Sequence, residues 1–372
     1  MAATETPDWS GAALKDLCAA LRGEELPVSN AAVDLARRHR VHLVLAQAAG
    51  SRVEDAVVRA GLLAELRRAA IADLYREREL RRLLSELAGA GVHPLLLKGA
   101  ALAYTVYGAS HLRPRADLDV MIARGDLEVA DRTVTAAGWI RLAEQSREAV
   151  TTQRHYVLTG VPSCTEQLDL HWNVAVPHVF QDALTFDELT ARAASIDSLG
   201  PHARALSTPD ALFLACLHRV AHHQDAADLV WLWDIHLLAS RLTEPEGARF
   251  VDLAAHRAMR AVCARGLELA SARFATPRLA GVLAALRAGA DAVREPSADF
   301  LGGGMRQVDI LHRDLIAVGG WSARLQLLGA HLVPSAVYMK SIYPHCPSFM
   351  LPLAYLHRMV RGAPEWFRRP VE

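Results

Sequence analysis

Two aspartates one residue apart, Asp117 and Asp119, open the apolar run in LRPRADLDVMI. Side chains alternate along a strand, so both carboxylates project to one face, roughly 6.6 Å apart along the backbone, while Leu118 and Val120 point into the core. Hard oxygen ligands of this kind suit Mg²⁺ or Mn²⁺, which take their other ligands from water and substrate phosphates. The pair indicates a divalent-cation site. The alternative is an ordinary strand end with two solvated aspartates.

A third aspartate strengthens this prediction. Asp169 lies in EQLDLHWNV, a later predicted strand in which Leu168 and Leu170 occupy the opposite face. If the two strands are adjacent, three carboxylates meet at one edge of a sheet. Such an edge can hold two ions roughly 3.5–4 Å apart, which grip the attacking and leaving oxygens of an in-line displacement. His171 is predicted to face away from Asp169 and to be a packed or hydrogen-bonding residue.

The segment LLLKGAAL is a candidate anion site. A predicted strand ends in Lys98-Gly99 and opens directly into a helix, whose first backbone N–H groups lack partners. The glycine allows a phosphate to approach the chain closely, and Lys98 adds positive charge. Arg113 and Arg115 lie on the same face of their segment as the two aspartates, where they could bind triphosphate oxygens or pair with those carboxylates. The alternative for LLLKGAAL is a plain strand-to-helix turn.

A later helical segment, LACLHRVAHHQDAADLVWLWDIHLLA, places polar residues in apolar surroundings. His218 and His222 share one face of a helix, and an unpaired carboxylate at Asp234 would be costly. Three interpretations remain open. The three residues bind zinc, or they form a hydrogen-bonded link between two helices, or Asp234 projects into a cleft and orients or deprotonates an acceptor. Trp231 and Trp233 are predicted to pack in the core rather than to stack on a base.

The surrounding pattern predicts an α+β protein with three regions. Residues 1–90 repeat apolar positions at helical spacing and are predicted to form an N-terminal helical region. Residues 91–206 read as strand, helix, strand, helix, strand, strand, which predicts a small mixed sheet. Residues 207–372 are predicted to form a C-terminal helical domain. In that domain SIYPHCPSFMLPLAYLHRMVRG is apolar and ends in basic residues, and it could cover the core or rest against a membrane or a partner.

Composition excludes several classes of protein. Lys+Arg and Asp+Glu both number 41, and this neutral balance argues against a long nucleic acid as the partner. The start of the chain lacks the pattern of a signal peptide, and no uncharged apolar run is long enough for a transmembrane segment. The five cysteines are scattered and contain no C-x-x-C pair. Reduced thiols in a cytoplasmic protein explain them most simply.

Three of these pieces together resemble a known family. KGAALAYTVYG, R-P-x-x-D-L-D-V and L-D-L-H-W have the order and spacing of the uncharacterised nucleotidyltransferase family within the DNA polymerase β-like superfamily, and the flanking helical regions are similar too. The superfamily pattern of an hG[GS] turn, a D-x-D and a third acid maps onto Gly99-Ala100, Asp117 and Asp119, and Asp169. Ala100 departs from this pattern because many members have serine there. A hydroxyl contact to phosphate is therefore missing, while the backbone amides remain.

The resemblance implies a nucleotidyltransferase that moves a nucleoside monophosphate from an NTP to a hydroxyl-type acceptor and releases pyrophosphate. It implies Asp117 and Asp119 as metal ligands, with Asp169 completing the site and helping to activate the acceptor. Asp234 is a further catalytic candidate, because related helical domains line the acceptor side. The residues expected at the nucleotide are Lys98, Gly99, Ala100, Arg113 and Arg115. Those expected on the acceptor side are His218, His222 and Asp234.

The identity of the acceptor is open. A small molecule, a peptide or a protein side chain would each supply the group that receives the nucleotide. A different class of function is also open, in which the chain is a nucleotide-binding partner protein that no longer turns over. Ala100 motivates that alternative.

Overall fold

The computed structural model describes residues 11–142, 152–161, 164–174, 177–292 and 294–368. Helices precede and follow a mixed sheet, which confirms the predicted α+β class. The exact division at residues 90 and 206 stays a prediction. The helices before the sheet are α1 (Ala12–Leu21), α2 (Asn30–Arg38), α3 (His42–Ala49) and α4 (Ala56–Gly89).

The longest of these helices, α4, begins and ends as its sequence dictates. The side chain of Asp55 caps its start by accepting hydrogen bonds from the backbone N–H groups of Val57 and Val58. It ends at Gly89, and Gly91 follows with φ +81°, a left-handed conformation that glycine adopts without strain. Leucines in its last turns pack against the sheet. Helix α4 therefore covers one face of the sheet.

The sheet contains the predicted strands and some shorter ones. Its elements are β1 (Leu95–Leu96), α5 (Lys98–Thr105), β2 (Asp117–Met121), α6 (Leu127–Ala136), β3 (Ile140–Arg141), β4 (Gln153–Val161), β5 (Cys164–His171), α7 (Phe186–Arg192), β6 (Ala194–Ser195) and β7 (Arg204–Ala205). In the described part of the chain the strand order is β3-β4-β5-β2-β1-β7-β6. Strands β3, β6 and β7 were not predicted, since two residues are too few to show an alternating pattern and these strands lack the continuous apolar run that indicated β1.

The central strands are parallel neighbours, and their partners on either side are antiparallel. Strand β2 pairs in parallel with β5 and antiparallel with β1, while β4 pairs antiparallel with β5. Leu118, Val120, Leu168 and Leu170 are fully buried on one face, against α4 and α6. This packing leaves the alternate residues of the same strands for the opposite face, where the candidate site lies.

The helices after the sheet are α8 (Thr208–Ala221), α9 (Leu229–Ala239), α10 (Glu244–His256), α11 (Arg260–Phe274), α12 (Ala280–Ala292), α13 (Gln307–Ala317), α14 (Trp321–Leu332), α15 (Ala336–Ile342) and α16 (Leu351–Phe367). Helices α8 to α12 form most of a second core with α1 to α3, and the buried members of that core end at Phe300. Among the described residues, no helix combines the length and the apolar character needed to cross a bilayer.

Candidate active site

The three aspartates meet at one face of the sheet. In the parallel register of β2 and β5, Asp119 lies opposite Asp169, and Asp117 lies opposite Gln167. The adjacency on which the metal-site prediction depended is therefore present. Asp117, Asp119 and Asp169 all line a cleft with a cavity of about 350 Å³ between the sheet, the start of α5 and helices α8 and α9.

Most residues singled out from the sequence line this same cleft. The exception among the candidate site residues is Ala100, whose side chain is completely buried in the core between the sheet and α4. A serine hydroxyl at position 100 would therefore lie in the core and would not reach the cleft. The residues that do line the cleft are Lys98, Gly99, Arg113, Arg115, Asp117, Asp119, Asp169, His218, His222 and Asp234.

Asp119 is the most strongly constrained of the three carboxylates. It is buried, and its Oδ1 accepts hydrogen bonds from Lys98 Nζ at 2.7 Å and His171 Nε2 at 2.8 Å. Burial alone would raise the pKa of Asp119, but the Lys98 charge and the hydrogen bond from His171 outweigh burial and hold that pKa well below its usual range. Asp119 is therefore ionised at neutral pH, as a metal ligand must be.

His171 corrects the prediction made from the sequence. It was expected to face away from Asp169, but residues two apart in a strand share a face, and the ring of His171 lies with the aspartates. Ligand atoms of Asp119, Asp169 and His171 all lie within 4.8 Å of one another. Burial and the Lys98 charge lower the pKa of His171, so the ring is neutral and carries its proton on Nε2, where an ionised carboxylate accepts it. The expected hydrogen-bonding role is present.

Asp117 has the opposite electrostatic balance. Burial, together with the charges of Asp119 and Asp169, raises the pKa of Asp117 to about 6, although Lys98 and Arg113 oppose the shift. Asp117 lies outside the group of three that could share one ion, but it lines the same cleft. Three carboxylates this close repel one another, and an added divalent cation would relieve the repulsion.

Two residues that the sequence analysis missed hold Asp169 in place. Strand β4 is antiparallel to β5, with His155 opposite Asp169. His155 Nδ1 lies 2.8 Å from Asp169 Oδ1, and Gln153 Nε2 donates to Asp169 Oδ2 at 2.8 Å. The alternation of β4 places Gln153 and His155 on one face. That pattern was a usable signal once β4 and β5 had been paired.

The turn from β1 into α5 places Lys98 beside the carboxylates. The backbone N–H of Leu97 donates to Asp119 O at 3.0 Å, which fixes the end of β1 against β2. Lys98 has φ +46°, an uncommon conformation for a non-glycine residue. The first amides of α5 have no acceptor within the helix. A Cβ added at Gly99 would lie 3.6 Å from the guanidinium carbon of Arg113.

The two arginines do not pair with Asp117 or Asp119. Arg113 donates to both carboxylate oxygens of Asp234, from Nε at 2.9 and 3.1 Å and from Nη2 at 2.7 Å, and both side chains are buried. Tyr107 also donates from its hydroxyl to Asp234 Oδ1 at 2.7 Å. Asp234 therefore links α9 to the segment before β2. The link between two helices that the sequence suggested included His218 and His222, whereas the observed contacts join Asp234 to Arg113 and Tyr107.

Arg115 pairs with helix α4 rather than with α9. Its Nη2 donates to Asp73 Oδ1 of α4 at 2.5 Å and to the Tyr104 hydroxyl at 3.1 Å, and its Nη1 donates to Ser110 O. The carboxylate partners of both arginines are far away in the sequence. A local pattern could not have identified them.

A cluster of histidines forms the wall of the cleft opposite the sheet. Burial, reinforced by the Lys98 charge, lowers the pKa of His218 well below its usual range and the pKa of His222 to about 3. His223 Nε2 lies 3.1 Å from His218 Nε2. Among the described residues His218, His222 and Asp234 do not form a group that could hold one metal ion, so the zinc interpretation is wrong.

Trp231 and Trp233 occupy different environments. Trp233 is buried and packs edge-on against Phe274, as predicted. Trp231 instead lines the cleft and stacks on His223, with ring centroids 3.8 Å apart. Arg40, from the N-terminal helices, lies 5.1 Å from the centroid of the Trp231 ring and lines the cleft as well. An aromatic and cationic wall therefore faces the carboxylates.

Comparison with protein families identifies a match. The family model described as "uncharacterised nucleotidyltransferase" matches residues 29–275, more than half of the chain. The matched range contains every cleft residue named above. In the comparison with curated proteins, no match was found.

Proposed function

Because the chain belongs to the family of uncharacterised nucleotidyltransferases, we propose that it is a metal-dependent nucleotidyltransferase. It moves a nucleoside monophosphate from an NTP to an acceptor hydroxyl and releases pyrophosphate. The observation that carries this proposal is the convergence of Asp117, Asp119 and Asp169 beside Lys98, where the first amides of α5 open onto the cleft.

The donor set fits a divalent cation with a preference for oxygen. Asp117, Asp119 and Asp169 would hold Mg²⁺ or Mn²⁺, and His171 would orient Asp119 by its hydrogen bond. When bound, the metal supplies positive charge that neutralises the carboxylates and the triphosphate oxygens together. Ligand atoms of Asp119 and Asp169 lie within 4.8 Å of one another, which supports the assignment of these two carboxylates, and Asp117 lines the same cleft.

Lys98 and the start of α5 would bind the phosphates. The Lys98 ammonium now donates to Asp119, and with an NTP present it can donate to a phosphate oxygen instead. The amides at the start of α5 add donors that suit an anion. Arg113 already donates to Asp234 from Nε and Nη2, so we assign it positive charge behind Gly99 and the support of the wall of the phosphate site. Arg115 supports the same wall from Asp73.

Asp169 is the proposed proton acceptor. The acceptor hydroxyl oxygen attacks the α-phosphorus, and its proton passes to an oxygen of Asp169. The bond from the α-phosphorus to the bridging oxygen breaks, and pyrophosphate leaves with the electron pair. His155 and Gln153 hold the Asp169 carboxylate during this transfer. Positioning and charge neutralisation supply most of the catalysis in reactions of this type.

The histidine wall is the proposed acceptor side. His218 and His222 are neutral at physiological pH and can accept or donate a hydrogen bond without adding charge. His218 Nδ1 and His222 Nε2 are buried and lack a partner within the described residues. Asp234 borders this wall but is committed to Arg113 and Tyr107, so we assign it the positioning of Arg113.

Loss of one ligand tests the proposal. In Asp119→Ala, transfer of the α-phosphorus label from each NTP to acceptors in a cell extract should disappear, because the central carboxylate is gone. Asp252→Ala is the matched control, since Asp252 is exposed on α10. Normal transfer by Asp119→Ala would contradict the proposal.

The alternative is a nucleotide-binding protein without turnover. Its motivation was Ala100, and the burial of that side chain in the core weakens the argument, because a hydroxyl there would not face the cleft. Metal-dependent NTP binding with no pyrophosphate release over any acceptor would favour this alternative. Cys18, Cys216, Cys263 and Cys346 are free thiols, which supports a reducing compartment, and we infer the cytoplasm.

A further inference from the structure

Helix α16 and the turn before it expose large apolar side chains that do not line the candidate site. Phe349 is 83% exposed, Leu353 61%, Leu356 54%, Val360 68% and Phe367 61%. We name these five residues the α16 face. Such contiguous exposure of apolar side chains marks an interaction surface. The family match ends at residue 275, so the α16 face is separate from the matched part of the chain.

The α16 face is one continuous stripe. Within the helix Leu353, Leu356, Val360 and Phe367 follow one another at spacings of three, four and seven residues. At about 100° per residue these side chains fall within about 60° of one another around the helix axis. Phe349, in the short turn just before α16, is exposed next to the start of the stripe in the chain.

The core of the protein does not use this stripe. Among the described residues, the buried members of the two core clusters end at Phe300. Helix α16 packs on its own neighbours instead, and Ala354, on its other side, is buried. A groove beside it is lined by Leu332 of α14 and by Met359 and Trp366 of α16. The apolar face therefore does not cover the core, which was one of the two possibilities raised by its sequence.

The charge around the stripe indicates what it contacts. Over residues 318–368 the basic residues are Arg324, Lys340, Arg358, Arg361 and Arg368, and the acidic residue is Glu365. The chain as a whole is neutral, so this excess is local. His357 and Arg361 are exposed and border the stripe on the helix surface. An apolar stripe with arginines along one side is compatible with a helix that lies in the interface of an anionic bilayer.

We propose that α16 lies in the plane of an anionic lipid surface. The α16 face enters the boundary between headgroups and acyl chains, and the neighbouring arginines contact lipid phosphates and carboxylates. A helix of 17 residues is about 25 Å long and can lie flat on such a surface. A second copy of the chain fits less well, since two faces with the same basic excess would repel each other.

Sedimentation of the full chain with lipid vesicles tests the proposal. The chain should sediment with vesicles that contain phosphatidylserine and stay in solution with phosphatidylcholine vesicles. The double variant Leu356→Glu and Val360→Glu should bind anionic vesicles at least about tenfold more weakly, because two apolar side chains leave the membrane. Arg361→Gln should bind about fivefold more weakly, because one charge near the surface is lost.

The matched control is the double variant Ile71→Glu and Leu74→Glu. These residues are 59% and 69% exposed on α4, so the same substitutions are made at similar exposure away from α16. The control should bind vesicles like the unaltered chain. Circular dichroism should show that both double variants keep the helix content, which separates loss of binding from unfolding.

Three results would overturn the proposal. The chain would remain in solution with phosphatidylserine vesicles, or the α16 variant would bind as tightly as the α4 control. In the third case the chain would form a dimer that the α16 variant converts to a monomer, with no vesicle binding. That result would assign the stripe to a second copy of the chain.

Discussion

The ammonium of Lys98 lies 2.7 Å from Oδ1 of Asp119. Before any metal or nucleotide binds, Lys98 is the main positive charge among the carboxylates. It also occupies a position from which it can turn to a phosphate. The folded state of the metal-free protein therefore depends on a residue that the proposed reaction uses for substrate binding.

Removal of Lys98 should destabilise the metal-free protein. In Lys98→Met the free energy of unfolding should fall by about 3 kcal/mol, because the buried Asp119 carboxylate loses its partner. Mg²⁺ should restore part of this loss, and NTP affinity should fall. Urea unfolding with and without Mg²⁺ measures the effect. Lys15→Met, at an exposed lysine of α1, should change neither property. Equal stability of Lys98→Met and the Lys15 control would show that the contact is unimportant.

The raised pKa of Asp117 predicts a pH dependence between the unfolded value of 3.8 and the folded value of about 6. The folded state binds the proton more tightly than the unfolded state, so this contribution to stability is full below pH 3.8 and is lost as pH rises through 6. The pKa of Asp119 is lowered, so its ionised carboxylate contributes to folding stability above pH 3.8, and that contribution is lost only as the pH falls below this value.

Asp117→Asn isolates this effect. Without metal, the variant should be more stable than the unaltered chain by about 3 kcal/mol at pH 7, since two pKa units separate the folded and unfolded states. The difference should shrink to about 0.5 kcal/mol at pH 4. Urea unfolding from pH 4 to 7 measures it. A stability difference that does not change with pH would contradict the raised pKa.

The ion pair of Arg113 and Asp234 should contribute mainly to the free energy of unfolding rather than directly to the transfer reaction. Asp234→Ala leaves the buried Arg113 guanidinium without its partner, which should lower the free energy of unfolding by about 3–5 kcal/mol. Tyr107→Phe removes a single hydrogen bond to Asp234 and should cost about 1 kcal/mol. Thermal unfolding compares the two variants. If Asp234→Ala kept full stability and lost only transfer activity, Asp234 would have a direct catalytic role instead.

His171 should tune the affinity for metal without being required for it. His171→Ala removes the hydrogen bond that orients Asp119, and Mn²⁺ affinity should fall by about 10–100-fold. Calorimetric titration with Mn²⁺ measures this change. His178→Ala, at a histidine outside the cleft, serves as a control. Complete loss of Mn²⁺ binding in His171→Ala would make His171 a ligand in its own right.

The sequence predicted those parts of the site that depend on local periodicity. The D-L-D alternation placed Asp117 and Asp119 on one face, and the glycine after Lys98 indicated the turn into α5. His171 could have been placed correctly by the same rule, because it is two residues from Asp169. The alternation of β5 therefore contained the correct position of His171, and the prediction that it faces away from Asp169 was wrong.

Contacts between distant segments could not be predicted. Arg113 and Asp234 are 121 residues apart, and Arg115 and Asp73 are 42 apart, so their pairing depends on how the helices pack around the sheet. The position of Trp231 in the cleft has the same cause, since residues of an apolar helix can face either the core or a cavity. The burial of Ala100 followed from the packing of α5 against the sheet.

Electron paramagnetic resonance of bound Mn²⁺ tests the central claim most directly. The unaltered chain and the Asp252→Asn control should both bind Mn²⁺, and Asp119→Asn should lose the bound signal, because the shared carboxylate of β2 is replaced by a neutral amide. Retention of Mn²⁺ binding by Asp119→Asn at the affinity of the unaltered chain would contradict the assignment of these aspartates as the metal site.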